Sequence, residues 1–113
     1  MTCVFCQIAA GQQPAKIVCE DELAIAFRDI NPQAPVHILI VPRVHIGGPL
    51  SVDGDNAPLI GHLVAMAAQV AEREGIAGSG YRLVLNQGRD GGQSVYHIHL
   101  HLLGGRRMTW PPG

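Results

Sequence analysis

The chain has 113 residues, 47% of them hydrophobic and only 15% charged, with a formal net charge of −1. That length supports one modest core, so we expect a single domain over residues 1–113, and the balanced charge leaves no basic field to hold a nucleic-acid backbone. No uncharged apolar run approaches the roughly 20 residues that cross a bilayer, and the opening MTCVFCQIAAG has neither a basic n-region nor a long h-region; three cysteines, an odd number, argue against a disulfide framework, so a cytoplasmic protein is expected.

From Thr2 to Ala10 the apolar positions Val4, Phe5, Ile8 and Ala9 fall at helical spacing, and Gly11 supplies a stop. KIVCED (16–21) and LAIAFRD (23–29) read as a hairpin about an acidic turn at Asp21 and Glu22. After the prolyl loop INPQAP, the β-branched VHILIVP (36–42) is a central strand closed by Pro42. Residues 43–55 read as loop. Asp55 or Asn56 can cap a long helix with Pro58 in its first turn, and Leu59, Leu63, Met66 and Val70 repeat along one face up to Gly75. YRLVLNQ (81–87) and YHIHLHLL (96–103) alternate as strands on either side of the glycine-rich GRDGGQS. The sum is an α+β domain: a largely antiparallel sheet of about five strands, one long helix and one short N-terminal helix.

The last of these strands holds three of the six histidines, His97, His99 and His101. A strand alternates faces with a period of two, so the imidazoles share one surface about 6–7 Å apart while Ile98, Leu100 and Leu102 turn to a core. Folding does not require such a row, because Thr, Lys or Glu serve a solvent face better. Imidazoles titrate near neutrality and can supply a nucleophile, an acid and a cationic ligand for an anion. Three successive strand positions do not converge on one tetrahedral metal without other ligands, which favours proton and phosphate chemistry. The loop before the row agrees, since Gly91 and Gly92 can expose backbone amides in a phosphate-holding nest and Ser94 adds a hydroxyl.

The His-x-His-x-His pattern of residues 97–101 resembles the histidine triad (HIT) superfamily. DINPQAPVHILIVPRVHI (29–46), NQGRDGGQSVYHIHLHLLGGR (86–106) and the closing WPPG extend the likeness to the Hint branch of nucleotide-binding members. That resemblance implies a HIT fold and a homodimeric hydrolase of purine nucleoside 5′-phosphoramidates and related acyl-adenylates, needing no cofactor for catalysis. It makes His99 the nucleophile that forms a nucleotidyl-histidine, with its other nitrogen donating to the His97 carbonyl. It places His101 on the phosphate and leaving-group side, His37 in the adjoining histidine network, Ser94 near the bridging atom and Asn86 near phosphate or ribose. Asp29 matches the ribose ligand, and Val4, Phe5, Ile8, Phe27 and Ile30 the apolar base slot, although on pattern alone those five read as ordinary core. Gly92, Gln93 and Val95 complete the nucleotide-binding set. A third-position histidine in place of glutamine separates the chain from the transferase branch, and Gly104 and Gly105 followed by WPPG separate it from the dinucleoside polyphosphate hydrolases.

Cys3 and Cys6 look like a bacterial variant in which C-x-x-C joins two histidines, here His45 and His97, around a closed structural zinc; the bland alternative is a pair of reduced thiols beneath the first helix. LIGHLVAMAAQVA (59–71) is apolar or small around most of its circumference, which fits a helix that also faces a second subunit. By resemblance Trp110 reaches toward the partner's site, the alternative being packing on its own subunit. Cys19 reads as packing and His62 as an exposed or interface residue. Two rival functions remain at this level: hydrolysis of dinucleoside polyphosphates, and a nucleotide- or zinc-binding interaction protein with vestigial turnover.

Overall fold

In a computed structural model, which describes residues 3–113, the chain forms helix α1 (Val4–Ala9), strands β1 (Ile17–Glu20), β2 (Ala24–Arg28) and β3 (Val36–Pro42), helix α2 (Ala57–Arg73), and strands β4 (Tyr81–Val84) and β5 (Leu100–Gly104). The five strands make one antiparallel sheet in the order β1-β2-β3-β5-β4, as the sequence pattern predicts. Thr2, placed at the start of the first helix by sequence, lies outside the described residues. The β1–β2 hairpin turns where Asp21 accepts the Leu23 and Ala24 N–H groups at 2.9 Å, an Asx-type turn that explains the acidic signal. Asn56 does sit at the N-cap of α2, but its side chain does not cap the helix; it accepts from the Asp53 N–H and donates to the Ser51 carbonyl instead. A single 3-10 turn at Pro49–Ser51 interrupts the segment read as loop.

Two apolar clusters lie on opposite faces of the sheet, and the alternation of the strands assigns their members. Ala24, Ala26, Ile38, Ile40, Leu100 and Leu102 pack beneath Leu63, Met66, Ala67 and Val70 of α2. Ile25, Phe27, Leu39 and Val41 on the other face pack with Phe5 and Ile8 of α1. Arg28 ties the end of α2 to β2 through a fork on Glu74, with Nη1 and Nη2 donating at 2.8 and 3.0 Å. The short α1 covers only part of its face, and the uncovered part is where the histidines gather.

The main departure from the expected strands concerns the histidine run itself. Only His101 lies within β5, because the ladder stops before it reaches His97 and His99. The β3–β5 register would place Ile98 opposite Pro42, which has no N–H to give, and the Pro42 carbonyl accepts from His97 Nε2 at 2.8 Å. The Ile98 N–H donates to the Ile46 carbonyl at 2.6 Å in place of the ladder. The alternation of faces survives the loss of the ladder, since Ile98, Leu100 and Leu102 are all buried in the core.

Candidate functional site

The site begins with three ring tautomers that hydrogen bonds dictate. His99 Nδ1 lies 2.8 Å from the His97 carbonyl, which can only accept, so Nδ1 carries the proton and Nε2 keeps its lone pair. His37 Nδ1 accepts from the Gln33 N–H at 3.0 Å, so its proton sits on Nε2, 2.9 Å from His101 Nδ1. His101 therefore accepts at Nδ1 and carries its own proton at Nε2, a buried donor with no partner among the described residues. Burial favours the neutral form of His37 and His101. It lowers the pKa of His37 against the pull of Asp29, and together with His99 and His37 it pushes His101 down to about 4.

A cavity of about 310 Å³ opens between α1 and the sheet, and His99 and His101 form its inner end. Val4, Phe5, Ile8, Phe27 and Ile30 line it together with Leu39, Pro14 and Ala15, so the five apolar residues singled out in the sequence do converge. Phe5 stands edge-on to His99 with ring centroids 5.0 Å apart, and to Phe27 at 5.6 Å, so an apolar wall abuts the imidazole. Asp29 lines the mouth, its Oδ1 accepting the Asn31 N–H and its Oδ2 lying 3.3 Å from His37 Nε2. Past Asp29 a shallower groove of about 610 Å³ runs on to Lys16, Pro32 and Pro35.

The glycine-rich loop is arranged differently from the nest that its composition suggests. The Gly92 and Gln93 amides already donate to the Arg89 and Gly88 carbonyls at 3.0 Å, and Gly91 lies so close to Gln87 that a Cβ would meet the Gln87 carbonyl oxygen at 2.5 Å. Gln93 is buried, its side chain accepting from the Gly88 N–H and donating to the Gly47 and Val95 carbonyls. Gln93 thus staples this loop to residue 47, and Ser94 and Val95 are the loop residues that reach the cavity. Asn86 does not line it, although continuing the β4–β5 register would bring Asn86 opposite His99. Trp110 is 83% exposed and does not line it either.

Apart from that cavity, Cys3, Cys6, His45 and His97 bring one sulfur or ring nitrogen each within 4.8 Å of one another. Cys3 Sγ lies 3.4 Å from His97 Nδ1, and Cys6 Sγ lies 3.4 Å from His45 Nδ1 and 3.5 Å from His97 Nδ1. A tetrahedron built with zinc bonds of about 2.3 Å to sulfur and about 2.0–2.1 Å to nitrogen has edges of roughly 3.5 Å, so these residues suit that ion. The Pro42 carbonyl holds the proton of His97 on Nε2 and leaves Nδ1 free for a metal, as an outer partner of a ligating imidazole does. Desolvation and the neighbouring Cys3 sulfur raise the Cys6 pKa, a cost that a bound cation reverses. Asp29, His37 and His101 form a second close group, but there the two imidazoles are bonded to each other.

Sequence reasoning passed over the Pro42 carbonyl, the Gln33 amide, Pro14, Ala15 and Leu39. Leu39 was within reach, because a period of two puts it on the face of His37. The others carry no signal in residue type or spacing.

A five-stranded antiparallel sheet with paired imidazoles beside an apolar slot is the arrangement of a histidine triad fold, and the comparisons with known proteins agree. Residues 10–108 match the HIT domain family, and the chain belongs to it. A 14 kDa zinc-binding protein of Zea mays is 51% identical over 112 residues, covering 97% of this chain and 87% of the maize protein. An uncharacterized HIT-like protein of Synechococcus elongatus is 49% identical over 110 residues, 97% of this chain and 96% of its own length. Among solved structures, a HIT family hydrolase from Legionella pneumophila superposes with a TM-score of 0.97 at 54% identity, over 99% of this chain and 100% of that one. A histidine triad protein from Clostridium difficile gives 0.94 at 38% identity, covering 96% and 95%.

Proposed function

We propose that the protein hydrolyses purine nucleoside 5′-phosphoramidates, and related acyl-adenylates, in two displacements at phosphorus. The reading rests on the two ring nitrogens at the end of the cavity: a lone pair at His99 Nε2, and beside it an unpartnered donor at His101 Nε2. His99 Nε2 attacks phosphorus as the bond to the amine breaks, and the amine takes up a proton from solvent as it leaves. Water then attacks the nucleotidyl-histidine, gives up a proton to solvent, releases the nucleoside monophosphate and restores neutral His99. The His97 carbonyl holds the Nδ1 proton and so offsets the positive charge that develops on the ring. His101 donates to the phosphoryl group and Ser94 to the bridging atom.

The base lies between Val4, Phe5, Ile8, Phe27 and Ile30, where a largely apolar slot tolerates different purines. Asp29 accepts from the ribose hydroxyls. Cys3, Cys6, His45 and His97 hold a structural zinc, which fixes α1 and the first triad histidine and leaves no open position for chemistry. The working form is a homodimer. The outward face of α2 carries Gly61, Val64, Ala65 and Ala68, exposed and small or apolar, as a helix in contact with a second copy requires, and Trp110 then reaches the partner's cavity.

Phosphorus NMR of adenosine 5′-phosphoramidate tests the reaction. Wild type is expected to yield AMP, and His99→Ala to lose at least about a thousandfold in kcat while still binding AMP. Equal or faster turnover of diadenosine polyphosphates overturns the substrate, and AMP binding without turnover of any P–N substrate overturns the enzyme.

A further inference from the structure

Resting on that proposed function, we infer that Arg106 is a positioning residue that orients the proton of His101 toward the substrate through two intervening groups. The His37–His101 pair has two neutral arrangements. In one, His37 Nε2–H donates to His101 Nδ1 and His101 Nε2–H faces the cavity. In the other, His101 Nδ1–H donates to His37 Nε2, and the cavity receives a lone pair that repels a phosphoryl oxygen. The Gln33 N–H on His37 Nδ1 selects the first, because a ring nitrogen that accepts cannot carry the proton. Asp29 Oδ2, 3.3 Å from His37 Nε2, pulls in the same direction.

The Gln33 amide is thus the outermost switch of the relay, and it sits in a loop with little core to hold it. Ile30 at its start is fully exposed, and Gln33 itself is exposed. Arg106, in the turn that follows β5, fixes it: Nε and Nη2 both donate to the Gln33 carbonyl, at 3.1 and 3.0 Å. The same turn presses on the loop at Gly105, whose φ is +85° and whose Cβ, if present, would meet Pro35 Cβ at 2.9 Å. A strand that carries His101 therefore continues directly into the side chain that sets the tautomer of that histidine. Asn31 is held from the other side by Asp29 Oδ1 at 2.8 Å, so the loop is pinned at both ends by groups belonging to the cavity wall or to the strand beside it.

Nitrogen NMR of the uniformly labelled protein reads the His37 and His101 tautomers directly, with no dependence on turnover. Wild type is expected to show His37 with its proton on Nε2. Arg106→Ala, and Arg106→Met, which keeps the stem, should both give His37 a mixed tautomer signal. Their kcat on adenosine 5′-phosphoramidate should fall roughly three- to tenfold, the effect of one hydrogen bond, with KM within about twofold. Arg106→Lys, with one donor for the carbonyl, should recover part of the loss, and Arg107→Ala, the same loss of charge one residue on, should change neither readout. Unchanged tautomers in both Arg106 variants overturn the inference, as does a fall in kcat equal to that of Arg107→Ala. If wild type cleaves no P–N bond, the proposed function fails while the tautomer measurement still decides the role of Arg106.

Discussion

At the scale of single residues, four imidazoles of the same chemical type are divided by their acceptors. His97 donates to Pro42, His99 to the His97 carbonyl and His37 to His101, which leaves Nδ1 of His97, Nε2 of His99 and the Nε2 proton of His101 available. Burial also makes a prediction for stability against pH. The folded pKa of His101, about 4, lies below the ordinary 6.5, and that of His37 is shifted the same way. Below pH 6.5 the unfolded chain binds protons that the folded chain refuses, so this destabilisation is absent above about pH 6.5 and grows as the pH falls toward 4. Each ring adds a slope of at most about 1.4 kcal/mol per pH unit. Thermal melts from pH 7 to 4 should therefore drop less steeply for His101→Gln than for wild type; parallel curves would remove the claim. The identity of His99 and His101 as the interesting residues was legible in the sequence, and so, by resemblance, was the His99 bond to the His97 carbonyl; the proton of His101 was not, because it is set through His37 by the Gln33 backbone N–H, an atom of no particular residue type.

Among the elements, α1 stands out as too short to hold itself. Six residues cannot form a stable helix in water, so its place depends on Phe5 and Ile8 below it and on the cysteines at its N-terminal end. Cys3 is its N-cap, with Sγ accepting the Cys6 N–H at 3.5 Å, and both sulfurs face His97. Removing metal from purified protein with a chelator, or replacing Cys6 by Ser, should loosen α1 and with it two walls of the cavity. The expected result is faster hydrogen exchange at the Ala10 and Gly11 amides and a KM for nucleotide raised several-fold, with a smaller change in kcat. Elemental analysis should first find about one zinc per chain, and full exchange protection in metal-free protein would show that α1 needs no metal. The C-x-x-C spacing of Cys3 and Cys6 was visible in the sequence, where it left zinc and a pair of reduced thiols both open; that their sulfurs gather with the His45 and His97 ring nitrogens is set by the fold. The termination of β5 at Leu100 was not, since it follows from the missing N–H of a proline on another strand.

At the scale of the whole molecule, β4 is an edge strand and the outer face of α2 has little charge until Glu72 and Arg73. An open ladder at one sheet edge and a small-residue helix face are each surfaces that a second copy can cover, and Trp110 in the tail is exposed. Sedimentation should give twice the 12.0 kDa chain mass, and Val64→Glu, which puts a charge at the centre of that helix face, should shift the protein toward monomer. If Trp110 reaches the partner's cavity, the same variant should change selectivity among leaving groups; a monomer with unaltered selectivity would confine Trp110 to its own subunit.

The sequence by itself determined which side chains share a face. A period of two sent the histidines one way and Ile98, Leu100 and Leu102 the other, a period of 3.6 built α2 over the apolar side, and a three-residue spacing brought two thiols to one helix end. These are local rules, and a break in the strand did not disturb them. Only the tertiary structure decided which nitrogen of His97, His37 and His101 carries a proton and which carries a lone pair. That choice depends on a group within about 3 Å that arrives from 55 positions away at Pro42, 64 at His37 and, in the case of the Arg106 clamp on Gln33, 73. Spacing along a chain records the direction of a side chain but not the atom it will meet.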